Sequence, residues 1–137
     1  MKKSGFLNRK SCMWCDYTII FVIATMIVFM TFIVNRRTLV AVNDGFNCFL
    51  PIFVYSGRYL RKLIPTLLSE GRIPLFDFSI GFGDDIPGTL SYGGFGSPFM
   101  IISALTPTRF AAYGLSLTII LQYYTAGLSF LYFCKKM

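Results

Sequence analysis

Residues 17–34 read YTIIFVIATMIVFMTFIV, a run of 18 residues without a charge. A helix rises about 1.5 Å per residue, so this run is just long enough to cross a hydrocarbon core of about 30 Å. A cleavable signal peptide has a shorter apolar region and small residues before its cleavage site. This run ends instead in Asn35-Arg36-Arg37, which predicts a retained transmembrane helix at 17–34.

A second uncharged run covers residues 110–134 and is followed at once by Lys135 and Lys136. Its length allows a tilted crossing, which predicts a second transmembrane helix there. The apolar stretch Met100–Leu105 is too short to cross and is stopped by Pro107. We expect it to dip into the interface or to cap the second span.

Basic residues predict the orientation, because cytoplasmic flanks are enriched in Lys and Arg. One side carries Lys2, Lys3, Arg9, Lys10, Lys135 and Lys136, and the other carries Arg36, Arg37 and Arg109. The sequence therefore predicts a multi-pass protein of the cell membrane with cytoplasmic segments at 1–16 and 135–137 and an external loop at 35–109.

The bulk composition supports a membrane protein, with 55% hydrophobic and 14% charged residues. The net charge of +7 could suggest nucleic acid, but the basic residues are dispersed and no nucleic-acid motif is present. The lipid bilayer and anionic headgroups are the expected partners. Cys12 and Cys15 form an isolated Cys-x-x-Cys without a second pair or any histidine, too few ligands for structural zinc.

The loop begins with an amphipathic segment at about 49–68. Arg58, Arg61 and Lys62 lie on one face. The opposite face carries a stripe of apolar residues at helical spacing: Phe49, Ile52, Phe53, Leu60, Leu63, Ile64 and Leu67. This pattern predicts a helix lying in the membrane surface, although Gly57 and Pro65 weaken it. Two interpretations remain open: a simple anchor, or a basic face that, with Arg72, also holds a lipid-linked phosphate.

The rest of the loop is interpreted from its glycines and prolines. Gly71 suits the left-handed end of the helix, and Pro74 favours an extended Ile73–Phe78. Six glycines between 81 and 97 predict a glycine-rich loop. It lacks the Lys-Ser/Thr ending of a phosphate-binding loop and the third glycine of a dinucleotide fingerprint.

Two groups of acids in the loop have chemical potential. Asp84 and Asp85 are the only adjacent acids; they could hold a divalent cation, but turn residues before Ile86-Pro87 are the preferred interpretation. Asp44 lies between Asn43 and Gly45 near the end of the first span. Its neighbours also favour a turn, yet a carboxylate there could act as a general base or hold a metal.

These segments, in this order, resemble the YfhO family of bacterial membrane proteins, which is grouped with integral-membrane glycosyltransferases of the GT-C fold. The resemblance covers about 100 residues and is carried by five stretches: Asn43-Asp44-Gly45-Phe46-Asn47 to Leu50-Pro51, Val54 to Arg61, Gly71 to Asp85, Thr89-Leu90-Ser91-Tyr92, and Gly96-Ser97-Pro98-Phe99.

The resemblance implies a bundle of roughly ten or more transmembrane helices, of which this α-helical chain supplies the first two and their external loop. It also implies transfer of a sugar from a polyprenyl-phosphate donor to a cell-wall polymer such as a teichoic acid. By the same resemblance Asp44 matches the catalytic acid of the first loop.

The chain departs from the family pattern at four residues and in length. A Gln-His or Gln-Tyr pair is expected at Cys48-Phe49, a Trp at Phe76 and an Asp at Ser97. Only two spans are present, so we expect either a fragment or a split or decayed gene; the partners of a fragment would be the remaining helices of a larger parent. The alternative is a non-enzymatic small two-span protein or an inactive truncated remnant. A transporter fragment is disfavoured because neither span carries an ionisable acid or base.

Overall fold

The computed structural model describes residues 13–80, 83–92, 94 and 96–137. Cys12 and most of the predicted cytoplasmic segment 1–16 lie outside these residues, as do Gly81, Phe82, Gly93 and Phe95 of the predicted glycine-rich loop. The described chain is mostly helical. Its elements are α1 (Met13–Val34), α2 (Leu50–Glu70), β1 (Phe76–Asp77), β2 (Asp84–Asp85), α3 (Ile86–Tyr92), α4 (Ile101–Leu105) and α5 (Ala111–Lys136).

Among the described residues, two helices are long and apolar enough to cross a membrane, Met13–Val34 and Thr108–Lys136. They cover the two predicted spans and extend them at the ends. No residue of α1 is buried, and large side chains such as Ile20 and Val28 remain 65% exposed. Such a helix, apolar on all sides, suits contact with lipid.

The chain divides into two compact units: α1 with Ile120–Met137, and Thr38–Ile119. In the first unit, Tyr17 donates its hydroxyl to the carbonyl oxygen of Tyr124 at 3.0 Å. The ring of Tyr17 also lies so close to Gly127 that a Cβ there would overlap its hydroxyl. Glycine at an interhelical contact allows this close approach.

The end of α1 is closed by residues that the sequence does not mark as a stop. Arg36 is left-handed, with φ of 51°. The N–H of Arg37 donates to the carbonyl of Phe32 at 2.8 Å and that of Arg36 to the carbonyl of Ile33 at 3.1 Å. This is the pairing of a Schellman motif, built here without the usual glycine.

Helix α2 confirms the helix predicted at about 49–68 and extends it to Glu70. Pro51 lies in its first turn, where its missing N–H costs nothing. The helix continues through Pro65 and ends at Gly71, which has φ of 62° and donates its N–H to Leu67. The left-handed glycine end was predicted correctly.

The apolar face of α2 differs from the predicted stripe. Phe53, Ser56, Gly57 and Tyr59 are the buried residues, and Ile52 and Leu63 pack against the core formed by Tyr59, Ile86 and Leu90. The apolar face of α2 thus packs against other parts of the loop along most of the helix. Exposed apolar side chains that could touch a membrane are confined to the C-terminal end, where Ile64, Leu67 and Leu68 are 66%, 46% and 83% exposed.

The predicted glycine-rich loop at 81–97 contains a helix, which corrects the sequence interpretation. Helix α3 places Ile86 and Leu90 inward at 2% and 1% exposure. These are one helical turn apart and so share a face. Pro87 and Gly88 hid the helix from pattern analysis, but Pro87 lies in the first turn, where proline is well tolerated.

Asp84 and Asp85 are not turn residues. They form β2, which pairs antiparallel with β1 so that Phe76 faces Asp85 and Asp77 faces Asp84. The ladder is prolonged by the N–H of Ile86, which donates to the carbonyl of Leu75 at 2.8 Å. Asp85 then caps α3, because its Oδ2 accepts the N–H of Gly88, as an N-cap side chain does with the third residue of a helix.

Helix α4, within the stretch Met100–Leu105, packs against α2. Ser103 is 3% exposed, and a Cβ at Gly57 would overlap its carbonyl oxygen. Gly57 therefore does more than weaken α2: it lets the backbone of α4 approach.

Candidate functional site

The segment that carries Asp44 is fixed at both ends within the unit Thr38–Ile119. Before it, the N–H of Leu39 donates to Oγ of Ser116 on α5 at 3.0 Å. After it, residues Gly45–Phe49 form a single π-helical turn that leads into α2. The N–H of Leu50 bonds to the carbonyl of Gly45, an i→i+5 bond. Turns of this kind occur frequently at functional sites.

Asp44 is the residue immediately before this turn. It is helical in backbone conformation, with φ of −62° and ψ of −33°, and its side chain makes no capping hydrogen bond. Asp44 is exposed, so its carboxylate oxygens are open to a ligand or a proton donor. The turn predicted around Asn43-Asp44-Gly45 is present at Val42 and Asn43, and the helix begins at Asp44.

A second acid, Asp77, is held far more tightly, and sequence analysis gave it no role. Its Oδ2 accepts the hydroxyl of Tyr55 at 2.6 Å, and its Oδ1 accepts the N–H of Ser79 at 2.8 Å. The bond from Tyr55, followed by those from Ser79 and the nearby charge of Lys62, lowers the pKa of the Asp77 carboxyl. Burial, and then the hydrogen bond to Asp77, raises the pKa of Tyr55.

Asp77 and Asp84 are opposite one another in the two-stranded ladder, so their side chains lie on the same face. Like charges in such positions repel. The repulsion is offset because Asp84 accepts the hydroxyl of Thr89 at 2.8 Å and the N–H of Asp85 at 2.8 Å. These bonds, the one from Thr89 first, lower the pKa of the Asp84 carboxyl.

The hydrogen-bonding of Asp84 and Asp85 bears on the cation that they could hold. Both Asp84 oxygens and one Asp85 oxygen accept hydrogen bonds inside the loop. Among the described residues, no group of three or more His, Cys, Asp or Glu residues could hold a metal ion. A divalent cation at Asp84 and Asp85 stays a prediction, and it would require ligands beyond this pair.

The four basic residues expected to bind phosphate have different environments. Arg58, Lys62 and Arg72 are exposed. Arg61 is also exposed, but its Nη1 donates to the carbonyl oxygens of Ala104 at 3.0 Å and Thr106 at 3.4 Å. Arg61 thereby satisfies carbonyls at the end of α4, which gives it a structural task besides any role with a ligand.

The structure thus brings Lys62, Asp77 and Asp84 together on one side of the loop. In the part of the chain that the structure describes, no hydrogen bond joins Asp44 to this group. The signal that could have identified Asp77 in the sequence is the extended segment after Pro74, which ends at Asp77 and allows it to face Tyr55 on α2.

Two findings come from comparison with known proteins. A family model described as "Bacterial membrane protein YfhO" matches residues 17–137. No curated protein and no solved structure matches the chain.

Proposed function

The chain belongs to the YfhO family of bacterial membrane proteins, and on that premise we propose that it is the N-terminal portion of a membrane glycosyltransferase of the GT-C type. In this proposal a sugar passes from a polyprenyl-phosphate donor to a cell-wall polymer outside the membrane. Asp44 accepts the proton of the acceptor hydroxyl as that oxygen attacks the sugar carbon, and the lipid phosphate leaves.

The observation that carries the proposal is the difference in environment between the carboxylate of Asp44 and those of Asp77 and Asp84. A general base needs a free lone pair within reach of the proton that it removes. Asp77 and Asp84 use their oxygens for hydrogen bonds that lower their pKa values and so weaken them as bases. Asp44 is exposed and makes no capping bond, so it is better suited to the role than Asp77 or Asp84.

Basic side chains on the same unit suit the leaving group. Arg58, Lys62 and Arg72 are exposed on or just beyond α2, and a cation beside a departing phosphate stabilises the charge that develops. Arg61 contributes less directly, because its guanidinium is bonded to the end of α4. This division of roles supports a phosphate-bearing lipid as the donor.

The test is Asp44→Asn introduced into the native gene, with transfer measured in membranes supplied with a polyprenyl-phosphate sugar. The substitution keeps the size of the side chain and removes its basicity, so transfer should fall by about 10²–10⁴-fold while the protein still inserts. The matched control is Asp84→Asn, which removes another carboxylate of the loop and should cost much less. Normal transfer by Asp44→Asn would remove Asp44 from the mechanism.

A second candidate function is favoured by one feature, the compactness of Thr38–Ile119. A loop with its own core of Tyr59, Ile86 and Leu90 can serve as a non-enzymatic module that docks larger membrane partners. In that case neither Asp44→Asn nor Asp84→Asn would change the sugar transfer measured in the membranes, whereas a substitution that disrupts the core would release the partners.

A further inference from the structure

Two aromatic rings stack face to face on the surface of the loop. The ring centroids of Phe49 and Tyr92 are 5.5 Å apart, and the ring planes differ by only 9°. Phe49 is 39% exposed and Tyr92 is 66% exposed. A nearly parallel aromatic pair therefore presents a flat apolar surface outside the core.

The position of this surface is set by rigid neighbours on both sides. Tyr92 ends α3, whose Leu90 is 1% exposed and belongs to the core. Phe49 ends the π-helical turn and is followed directly by α2. Since both rings are attached to packed elements, they are preorganised for binding, which lowers the entropic cost of holding a ligand.

The stacked pair lies close to Asp44 along the chain. Phe49 lies five positions after Asp44, the spacing of one hydrogen-bonded π turn. They therefore lie about one turn apart. Asn43, Asp44 and Asn47 are all exposed in this segment, so the segment that carries Phe49 also carries exposed side chains that can bond hydroxyl groups.

This combination argues against insertion of the pair into lipid. The exposed carboxylate and two amides in the segment that carries Phe49 would be costly in hydrocarbon. The exposed apolar residues at the end of α2, among them Ile64 and Leu68, are a better membrane contact. The ligand of the aromatic pair should have an apolar face and a polar rim.

A pyranose ring has this chemistry, since its axial C–H groups form apolar faces and its hydroxyls project from the edge. We propose that Phe49 and Tyr92 form a stacking platform for the sugar ring that is positioned beside Asp44 for transfer. The proposal rests on the proposed glycosyltransferase function and names its substrate contact. The sugar belongs either to the lipid-linked donor or to the acceptor polymer, and both offer the same C–H face.

The first experiment measures sugar binding without catalysis. Methyl β-D-glucopyranoside is added to the protein in deuterated detergent, the aromatic protons are saturated, and transfer of saturation to the ring protons of the sugar is recorded by NMR. Tyr92→Ala should reduce the transfer of saturation to the sugar about threefold to tenfold, in keeping with the small free energy of one aromatic contact. Tyr92→Phe should retain it, because the ring face remains.

The chain supplies a matched control in a second exposed aromatic pair. Phe76 and Phe78 are 5.1 Å apart, but their planes are at 75°, so they offer no flat surface. Phe78 is 80% exposed, and Phe78→Ala should leave saturation of the sugar unchanged. If Tyr92→Ala fails to fold, Tyr92→Trp replaces it in the experiment. Tyr92→Trp should increase the transfer of saturation to the sugar, since the indole ring is larger than the phenol ring.

Two results would overturn the platform: no saturation of the sugar by the wild-type protein, or equal loss of sugar saturation in Phe78→Ala and Tyr92→Ala. In a transfer assay, a rise in KM for the lipid-linked sugar in Tyr92→Ala assigns the donor, and a rise for the polymer assigns the acceptor. Sugar binding that survives in an inactive Asp44→Asn protein supports the platform. Loss of sugar transfer in Asp44→Asn, together with no sugar binding by the wild-type protein, rejects the platform and leaves the proposed function standing.

Discussion

At the scale of single residues, the bond between Tyr55 and Asp77 is the feature with the clearest dependence on pH. The phenol of Tyr55 must be protonated to donate to Asp77. Burial and this bond raise the pKa of Tyr55, so its contribution to stability is complete below the ordinary tyrosine pKa of about 10. It is lost as the pH rises through the raised value.

The corresponding prediction is that Tyr55 gives the latest step in an alkaline titration followed by tyrosinate absorbance, later than Tyr59, whose pKa is raised by burial alone. Tyr55→Phe should remove this late step, whereas the control Tyr92→Phe should leave it in place. Asp77→Asn should move the ionisation of Tyr55 to lower pH, because the hydrogen bond to the carboxylate is lost. The pKa of Tyr55 should stay above the ordinary tyrosine value, because burial remains. A titration of Tyr55→Phe that still shows the late step would contradict the assignment.

Asp77 has the opposite dependence. Its pKa is lowered, so its contribution to stability is present above the ordinary carboxyl pKa of about 3.9 and is lost as the pH falls through the lowered value. The bond between Tyr55 and Asp77 is therefore intact between acid and strongly alkaline conditions.

At the scale of elements, two glycines set how closely the helices of the loop pack. A Cβ at Gly57 would overlap the backbone carbonyl of Ser103, between α2 and α4. A Cβ at Gly114 would lie 2.6 Å from Oγ1 and 2.7 Å from Cγ2 of Thr106, where the chain enters α5. The obstacle is backbone in the first case and a side chain in the second.

This difference predicts which substitution can be rescued. Gly57→Ala and Gly114→Ala should each destabilise the loop by about 1–3 kcal/mol through overpacking, reduced by the gain of about 1 kcal/mol in helix propensity. Thr106→Ala should restore stability to Gly114→Ala, because it removes the atoms in the way. Ser103→Ala should not restore Gly57→Ala, because the backbone carbonyl stays. Thermal unfolding in detergent gives the four values, and rescue of both glycine variants would show that neither contact depends on the backbone.

At the scale of the whole molecule, the direction of insertion stays a prediction that labelling can test. The six-to-three distribution of basic residues predicts cytoplasmic termini and an external loop at 35–109. In a protein whose four cysteines are replaced by serine, Ser79→Cys should react in intact cells with a reagent that cannot cross membranes. Lys136→Cys should react only after the cells are opened. The reverse pattern would invert the topology.

Much of the architecture could be predicted from the sequence because it depends on local chemistry. The uncharged runs at 17–34 and 110–134 predicted both candidate spans, since the bilayer sets the length of an apolar helix. Helical spacing predicted α2, and the need for a left-handed residue predicted Gly71 at its end. The ordered motifs from Asn43 to Phe99 pointed to the family that the comparison then confirmed.

The tertiary structure alone decided which apolar residues meet protein and which remain exposed. Periodicity places Ile52, Leu63 and Leu67 on one stripe, but only packing against α3 and α4 shows where the core ends along α2. The role of Asp77 likewise depends on Tyr55, a partner 22 residues away in the chain. A sequence pattern indicates which face of an element a residue occupies. Hydrogen bonds between distant segments decide whether an acid on that face is held in place, as Asp77 is, or left open, as Asp44 is.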